Sequence, residues 1–191
     1  QVKEGDIVLV SGAAGGVGVL VCQLAKLKGA KVIGIAGGPE KCAVLVNEVG
    51  TDAAIDYKNQ NIDEQIKIHA PDGIDIFFDN VGGNILDLAL DNLRDRARVI
   101  ICGAISQYSH HDAVEGPSLY LRLAEKYARM EGFTVMHFEE HYERAYKELL
   151  ELYRVGKLKV PFHIEEGIDN FPLALQKLFT GGNTGKLMVK I

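Results

Sequence analysis

The spacing of apolar and polar positions changes period at regular intervals along this chain. Ile7–Val10 is wholly apolar, the pattern of a strand buried on both faces. After a glycine-rich stretch, Val17, Leu20, Val21, Leu24 and Leu27 recur at helical spacing and form one apolar stripe. Gly29 ends that segment, and Lys31–Ala36 is a second, mostly apolar run. Strand, helix and strand follow one another within the length of a single βαβ unit.

The alternation continues. Pro39 suits the first turn of a helix whose buried face is Cys42, Leu45, Val46 and Val49, closed by Gly50. Ala53–Asp56 reads as a third strand, Ile62–His69 as a helix, Pro71–Gly73 as a turn and Ile74–Asp79 as a fourth strand. Leu86, Ala89, Leu90 and Leu93 form the next helical stripe, and Arg98–Cys102 is the expected fifth strand. A loop from Gly103 to about Pro117, a helix over about Leu119–Ala128 and a sixth strand at Gly132–His137 complete the series. Such alternation predicts the α/β class: a doubly wound parallel six-stranded sheet with right-handed crossovers.

The pattern then breaks. Tyr142, Ala145, Tyr146, Leu149, Leu152 and Tyr153 predict a long amphipathic helix ended by Gly156. A short strand at Phe162–Ile164, a helix through Phe171, Ala174, Leu175 and Leu178, and a last strand at Lys186–Ile191 follow. From about Leu158 the apolar faces lack a partner layer. The chain is therefore divided into residues 1–157 and a C-terminal segment, 158–191.

Composition narrows the partners. At 191 residues a sizeable core is affordable, and a net charge of -5 without a basic stripe argues against nucleic acid. No apolar run reaches the roughly 18 residues of a membrane span. Cys22, Cys42 and Cys102 are too few and too widely spaced for a disulfide framework or a zinc site, so a reducing, cytoplasmic setting is expected. Gln1–Asp6 leads abruptly into a central strand, which reads as a cut inside a longer protein.

The candidate chemistry sits at the ends of the predicted strands. Val8–Gly18 runs from strand through a glycine turn into a helix, and Gly15, Gly16 and Gly18 would let a phosphate approach the backbone at the helix N-terminus. The spacing departs from G-x-G-x-x-G, since Ala13 stands where the first glycine belongs; Gly12, Gly15 and Gly18 form G-x-x-G-x-x-G instead. A tight turn without a ligand fits the same residues. Strand two ends in Gly37-Gly38, where an NAD site usually carries an acid. Lys41 and Tyr57 follow nearby, and a cation among small residues favours NADP over NAD; a solvated lysine is the plainer alternative. Asp79-Asn-Val-Gly-Gly83 ends strand four, with Asn80 able to donate and accept. Cys102–Tyr108 follows strand five with small apolar residues and a phenol at its far end. Cys102 fits a packing role better than a nucleophilic one. His110-His111-Asp112 is read as a solvated loop, and no metal site is expected there.

Taken together, Ala14–Gly18, Gly38–Lys41, Asp56–Lys58, Asp79–Gly83, Cys102–Tyr108 and Gly182–Lys186 are similar to the zinc-free medium-chain dehydrogenases/reductases. The resemblance is to their NADPH-dependent alkenal, prostaglandin and leukotriene reductase branch. It implies a Rossmann sheet in which Gly15, Gly16, Val17 and Gly18 cradle the pyrophosphate of NADP(H), Lys41 and Tyr57 hold the adenosine end and Asn80 faces the ribose. It further implies that Cys102, Gly103, Ala104, Ile105, Ser106, Gln107 and Tyr108 line the nicotinamide, flanked by Phe133, Thr134 and Val135, with Asn183 closing the site. Tyr108 would stand near the substrate carbonyl as the catalytic phenol. The implied reaction is hydride transfer to the carbon–carbon double bond of an α,β-unsaturated ketone or aldehyde, without a metal and in a homodimer. In that family a GroES-like catalytic domain precedes the first strand, and the segment from Leu158 packs on it. A quinone reductase or alcohol dehydrogenase of the same superfamily, or a non-catalytic dinucleotide-sensing module, are the alternatives.

Overall fold

The computed structural model describes residues 1–108 and 113–191; the His110-His111-Asp112 reading lies outside them. Six strands form one parallel sheet: β1 (Ile7–Val10), β2 (Lys31–Ala36), β3 (Ala53–Asp56), β4 (Ile74–Asp79), β5 (Leu93–Ile101) and β6 (Arg129–Gly132). Their spatial order is β3-β2-β1-β4-β5-β6, the doubly wound order that reverses direction between β1 and β4. Side chains of a strand point alternately to the two faces, so one apolar strand feeds two cores. Leu9, Ile33, Ile35 and Phe77 meet α3 (Ile62–His69) and α4 (Gly83–Asp91) on one face. Val8, Val10 and Val32 pack with Val19 and Cys22 of α1 (Gly18–Leu27) and with Leu45 on the other. Burial pushes the Cys22 thiol up to about 12, so it stays a neutral packing group.

The remaining elements are α2 (Pro39–Val44), α5 (Arg122–Glu125), α6 (Tyr142–Arg154), β7 (Phe162–Glu166), α7 (Phe171–Thr180) and β8 (Lys186–Lys190). β7 and β8 pair in parallel as a separate two-stranded sheet. The C-terminal segment also packs on the first unit. The Gly185 N–H donates to the Ala14 carbonyl at 2.7 Å, and Gln23 exchanges bonds with the Lys159 carbonyl and N–H at 2.9 and 2.7 Å. Leu158 is buried at this junction, whereas Phe171, Leu173, Leu175 and Phe179 stay largely exposed.

Several expectations need correction. Of the expected α1 stripe, Val17 and Leu27 are exposed and Leu20, Val21 and Leu24 only half-buried, because α1 lies close on the sheet through its smaller residues Val19, Cys22 and Ala25. Val46, expected on the buried face of the next helix, is exposed, and Leu45 and Val49 fill that place. Leu93 belongs to β5 and not to the preceding helix, which ends at Asp91. It fills the same core as Leu86 and Leu90, so helical spacing runs on by chance into a strand. β5 starts five residues before Arg98 because its register shifts between Ile74 and Ile76 of β4, and Arg96 adopts a left-handed φ of 64° there. The helix expected over Leu119–Ala128 is confined to Arg122–Glu125, since the chain reverses at Tyr127 with φ 47°. The sixth strand is polar Arg129–Gly132 and not Gly132–His137. Pairing with β5 dictates this: Ile101, the last residue of β5, stands opposite Gly132. Beyond it Thr134 and His137 form a reciprocal cap that turns Val135–His141 into a 3₁₀ helix. Tertiary pairing here overrides the β-propensity of Phe133–Val135.

Candidate functional site

The glycine turn is built by contacts that exclude side chains. Gly12 takes a left-handed φ of 57°, and its carbonyl accepts from the Gly15 N–H at 3.0 Å. A Cβ on Gly18 would stand 2.6 Å from Ala13 Cα and 2.7 Å from its carbonyl oxygen, and closer still to the Gly12 carbonyl. Gly18 therefore lets α1 start against the turn. Gly16 differs: the nearest atoms to a Cβ there would be Lys186 Cδ, Cα and Cβ, at 3.2 to 3.6 Å. Val19 returns its N–H to Gly15 at 3.0 Å. The Gly16 N–H faces the Gly185 carbonyl across the bridge between Gly15 and Gly185, whereas among the described residues the N–H groups of Val17 and Gly18 find no backbone acceptor, which leaves them and the helix dipole available to an anion.

The end of β4 is fixed by a buried network. Asp79, 1 % exposed, accepts from Ser11 Oγ at 2.6 Å, the Val81 N–H at 2.9 Å and the Gly82 N–H at 3.0 Å. Ser11 Oγ accepts the Asn80 N–H at 2.8 Å, and Asn80 Nδ2 donates to the Ser11 carbonyl at 2.7 Å. β1 and β4 are thereby tied together at their carboxyl ends, where the sheet order reverses. The Asp79 carbonyl also accepts from Cys102 and Gly103, and Ser106 Oγ donates to the Val81 carbonyl at 2.6 Å. The loop after β5 is thus laid over the same point.

The end of β2 carries a second pinned junction. Asp56 Oδ1 accepts the Gly38 N–H at 2.7 Å and the Lys58 N–H at 3.0 Å, and the Tyr57 N–H donates to the Ala36 carbonyl at 3.0 Å. Hydrogen bonds, led by that from Asn59, hold the Asp56 carboxyl below its usual range. Tyr57 lies over Gly37. Lys41 Nζ donates to the Gly181 carbonyl at 2.7 Å, just beyond α7. Partial burial, then the charge of Lys58, lowers the Lys41 pKa. A partly dried cation beside a second one is a group that an anion would relieve.

These parts enclose one cavity of ≈ 740 Å³, within the range of a small-molecule cofactor site at a topological switch point. Gly15, Gly16, Val17, Gly18, Lys41, Tyr57, Asn80, Ile105, Ser106 and Asn183 line it, so ten of the expected positions converge. Asn183 is buried and holds its own loop through the Gly185 carbonyl at 2.9 Å. Cys102, Gly103, Ala104, Gln107 and Tyr108 do not border it. Burial, then Asp79, raises the Cys102 pKa. The Tyr108 hydroxyl folds back to accept from the Ala104 N–H at 3.3 Å, with its ring half exposed. Phe133 stacks edge-on between Phe78 and Phe138, at 6.2 and 5.7 Å. Thr134 is spent on its cap and Val135 faces solvent.

Ile35, Ile85, Leu178, Phe179 and Gly181, which belong to no motif, border the cavity too, as do Gly12, Val81 and Lys186 from within the motifs. For Lys186 the signal was the Gly182–Lys186 motif; for Leu178 and Phe179 no local pattern existed, because they arrive from a segment more than 150 residues beyond the glycine turn. Among the described residues no group of three or more His, Cys, Asp or Glu side chains is placed to hold a metal ion. Among the described residues no helix is long and apolar enough to cross a membrane.

A six-stranded parallel sheet with this order and a glycine-turn cavity at its switch point defines the Rossmann class of domain. The chain belongs to the zinc-binding dehydrogenase family, whose model matches residues 16–153. Prostaglandin reductase 1 of Bos taurus is 42% identical over 99% of this chain and 58% of its own length. The (+)-pulegone reductase of Mentha piperita is 40% identical over 99% of this chain and 55% of its own. The crystal structure of CurA in complex with NADPH from Vibrio vulnificus superposes with a TM-score of 0.91 at 38% identity, covering 98% of this chain and 57% of that one. The chain thus spans a little over half the length of the relatives it matches.

Proposed function

We propose that this chain is the cofactor-binding part of an NADPH-dependent oxidoreductase that reduces the double bond of α,β-unsaturated ketones and aldehydes. The observation that carries it is a cavity with the glycine turn at the α1 N-terminus in one wall and a partly buried lysine in another. NADPH, when bound, supplies the hydride. The residues supply position. Gly16, Val17 and Gly18 would meet the pyrophosphate, Lys41 and Tyr57 the phosphorylated ribose, and Asn80, held by Ser11, the nicotinamide side of the switch point. Prostaglandin and pulegone reductases among the relatives support the enone substrate class.

Lys41→Ala tests the cofactor choice. The unmutated chain should bind NADPH more tightly than NADH by calorimetry, and the variant should narrow that gap by about ten-fold, the worth of one charge-assisted contact. Equal affinities before mutation would refute the reading.

Tyr108 is our proposed phenol for polarising the substrate carbonyl. In a chain of the relatives' full length, Tyr108→Phe should lower enone turnover roughly a hundred-fold, as loss of one donor to a developing oxyanion does. NADPH affinity should stay unchanged. Full turnover by the variant would remove Tyr108 from the mechanism.

We also infer a cytoplasmic homodimer joined through the β6 edge. The outer side of β6 lies at the end of the sheet, and Met130, Val135 and Met136 are exposed on or beside it. An open edge of this kind invites pairing with a second copy. Val135 is the first residue of a 3₁₀ turn, so proline there leaves the edge intact and is no probe of it. Light scattering at tens of micromolar should give twice the chain mass; a monomer would overturn the dimer.

A further inference from the structure

A Cβ built on Gly37 would stand 2.8 Å from Cε1, Cζ and Oη of Tyr57. Real Cβ atoms essentially never approach so closely, so a side chain at 37 and the ring in its present place exclude each other. Backbone conformation is not the obstacle, because Gly37 is absent from the positive-φ glycines. The backbone that carries the ring is anchored: Asp56 ties the Gly38 and Lys58 N–H groups together, and Tyr57 N–H is bonded to Ala36. On the far side, a Cβ on Gly181 would lie 3.5 Å from the Tyr57 hydroxyl and 3.7 Å from Lys41 Nζ. Phenol and ammonium therefore converge on one point of the cavity wall, and the ring can reach that point only across an unsubstituted residue 37.

We propose that Gly37 and Tyr57 form one specificity element, in which the ring fills the seat of the acid that would hold an unphosphorylated ribose. Choice of cofactor is then written twice. No carboxylate can repel the 2′-phosphate, and the space for one is taken by a group that helps Lys41 to bind it. Any side chain at 37 evicts Tyr57 and so weakens the phosphate site, whatever its charge. This rests on the NADPH reading above.

The test is a double-mutant cycle of Gly37→Ala and Tyr57→Ala with two readouts. In unfolding experiments without cofactor, Gly37→Ala should lower the midpoint while Tyr57 is present and be close to neutral once Tyr57 is alanine. In calorimetry, each single variant should weaken NADPH about ten-fold, the double variant no more than either single, and NADH binding should change little. Tyr57→Phe keeps the ring and should leave Gly37→Ala as costly as before. Losses that multiply to about a hundred-fold in the double variant, or a silent Gly37→Ala with Tyr57 in place, would overturn the coupling. An unmutated chain without NADPH preference would instead overturn the cofactor reading, and the specificity role with it, even where the unfolding cycle is non-additive.

Discussion

Gly18→Ala is expected to destabilise the chain by about 3 kcal/mol, seen as a thermal midpoint lowered by roughly 6–12 °C for a domain of this size. The added methyl would press into the Ala13 backbone at 2.6 Å and even closer to the Gly12 carbonyl. Backbone cannot rotate away as a side-chain tip can, so the start of α1 must lift from the turn. Gly16→Val makes the contrast. Its Cβ meets Lys186 Cδ at 3.2 Å, which can yield, and Lys186 Cα at 3.4 Å, an ordinary van der Waals contact. This variant should keep its unfolding midpoint within about 1 kcal/mol and lose NADPH binding. Two glycines two residues apart thus serve different ends, one packing and one access. Equal stability loss in the two variants, or unchanged NADPH affinity in a folded Gly16→Val, would refute that division.

Both halves of that contrast sit in the element most legible from the sequence. The apolar run of β1 and the glycine turn are local signals, and β1 is buried as they imply. The α1 stripe misplaces the buried face: Val17 and Leu27 are exposed, Leu20, Val21 and Leu24 only half-buried, and the smaller Val19, Cys22 and Ala25 meet the sheet. Lys41 and the missing acid at Gly37 were also readable, because both lie a fixed distance beyond the turn along the chain. What could not be read locally was decided by pairing. Arg129–Gly132 has poor strand character, with all four residues exposed, but it is the stretch that β5 presents a register to. Phe133–Val135 has the better propensity and is drawn into a capped turn. The same limit applies to the cavity wall. Gly181 and Lys186 reach it because β8 and the loop before it dock on Ala14, a contact between opposite ends of the chain.

Asp79 shows how a site residue hides among motif residues. It stands one position before Asn80, and the motif drew attention to the asparagine. Its carboxyl accepts from Ser11 Oγ and from the N–H groups of Val81 and Gly82, and Ser11 is fully buried beside it. Asp79→Ala should therefore strand three donors at once. One unsatisfied buried donor costs about 1–3 kcal/mol, and water entering the space left by the carboxyl would satisfy some of them. A total loss of about 4 kcal/mol is expected, measured by urea unfolding. Asp79→Asn keeps the shape but turns an amide NH₂ towards donors, so about 2 kcal/mol should go. Ser11→Ala removes the acceptor of the Asn80 N–H and one donor to Asp79. Combined with Asp79→Asn it should cost at least 1 kcal/mol less than the sum of the two singles, because both disrupt one network. In every variant that still folds, NADPH affinity should fall together with stability, since Asn80 and Gly82 take their positions from these bonds. A folded Asp79→Ala with unaltered midpoint and full NADPH affinity would show that β1 and β4 hold the switch point without this network.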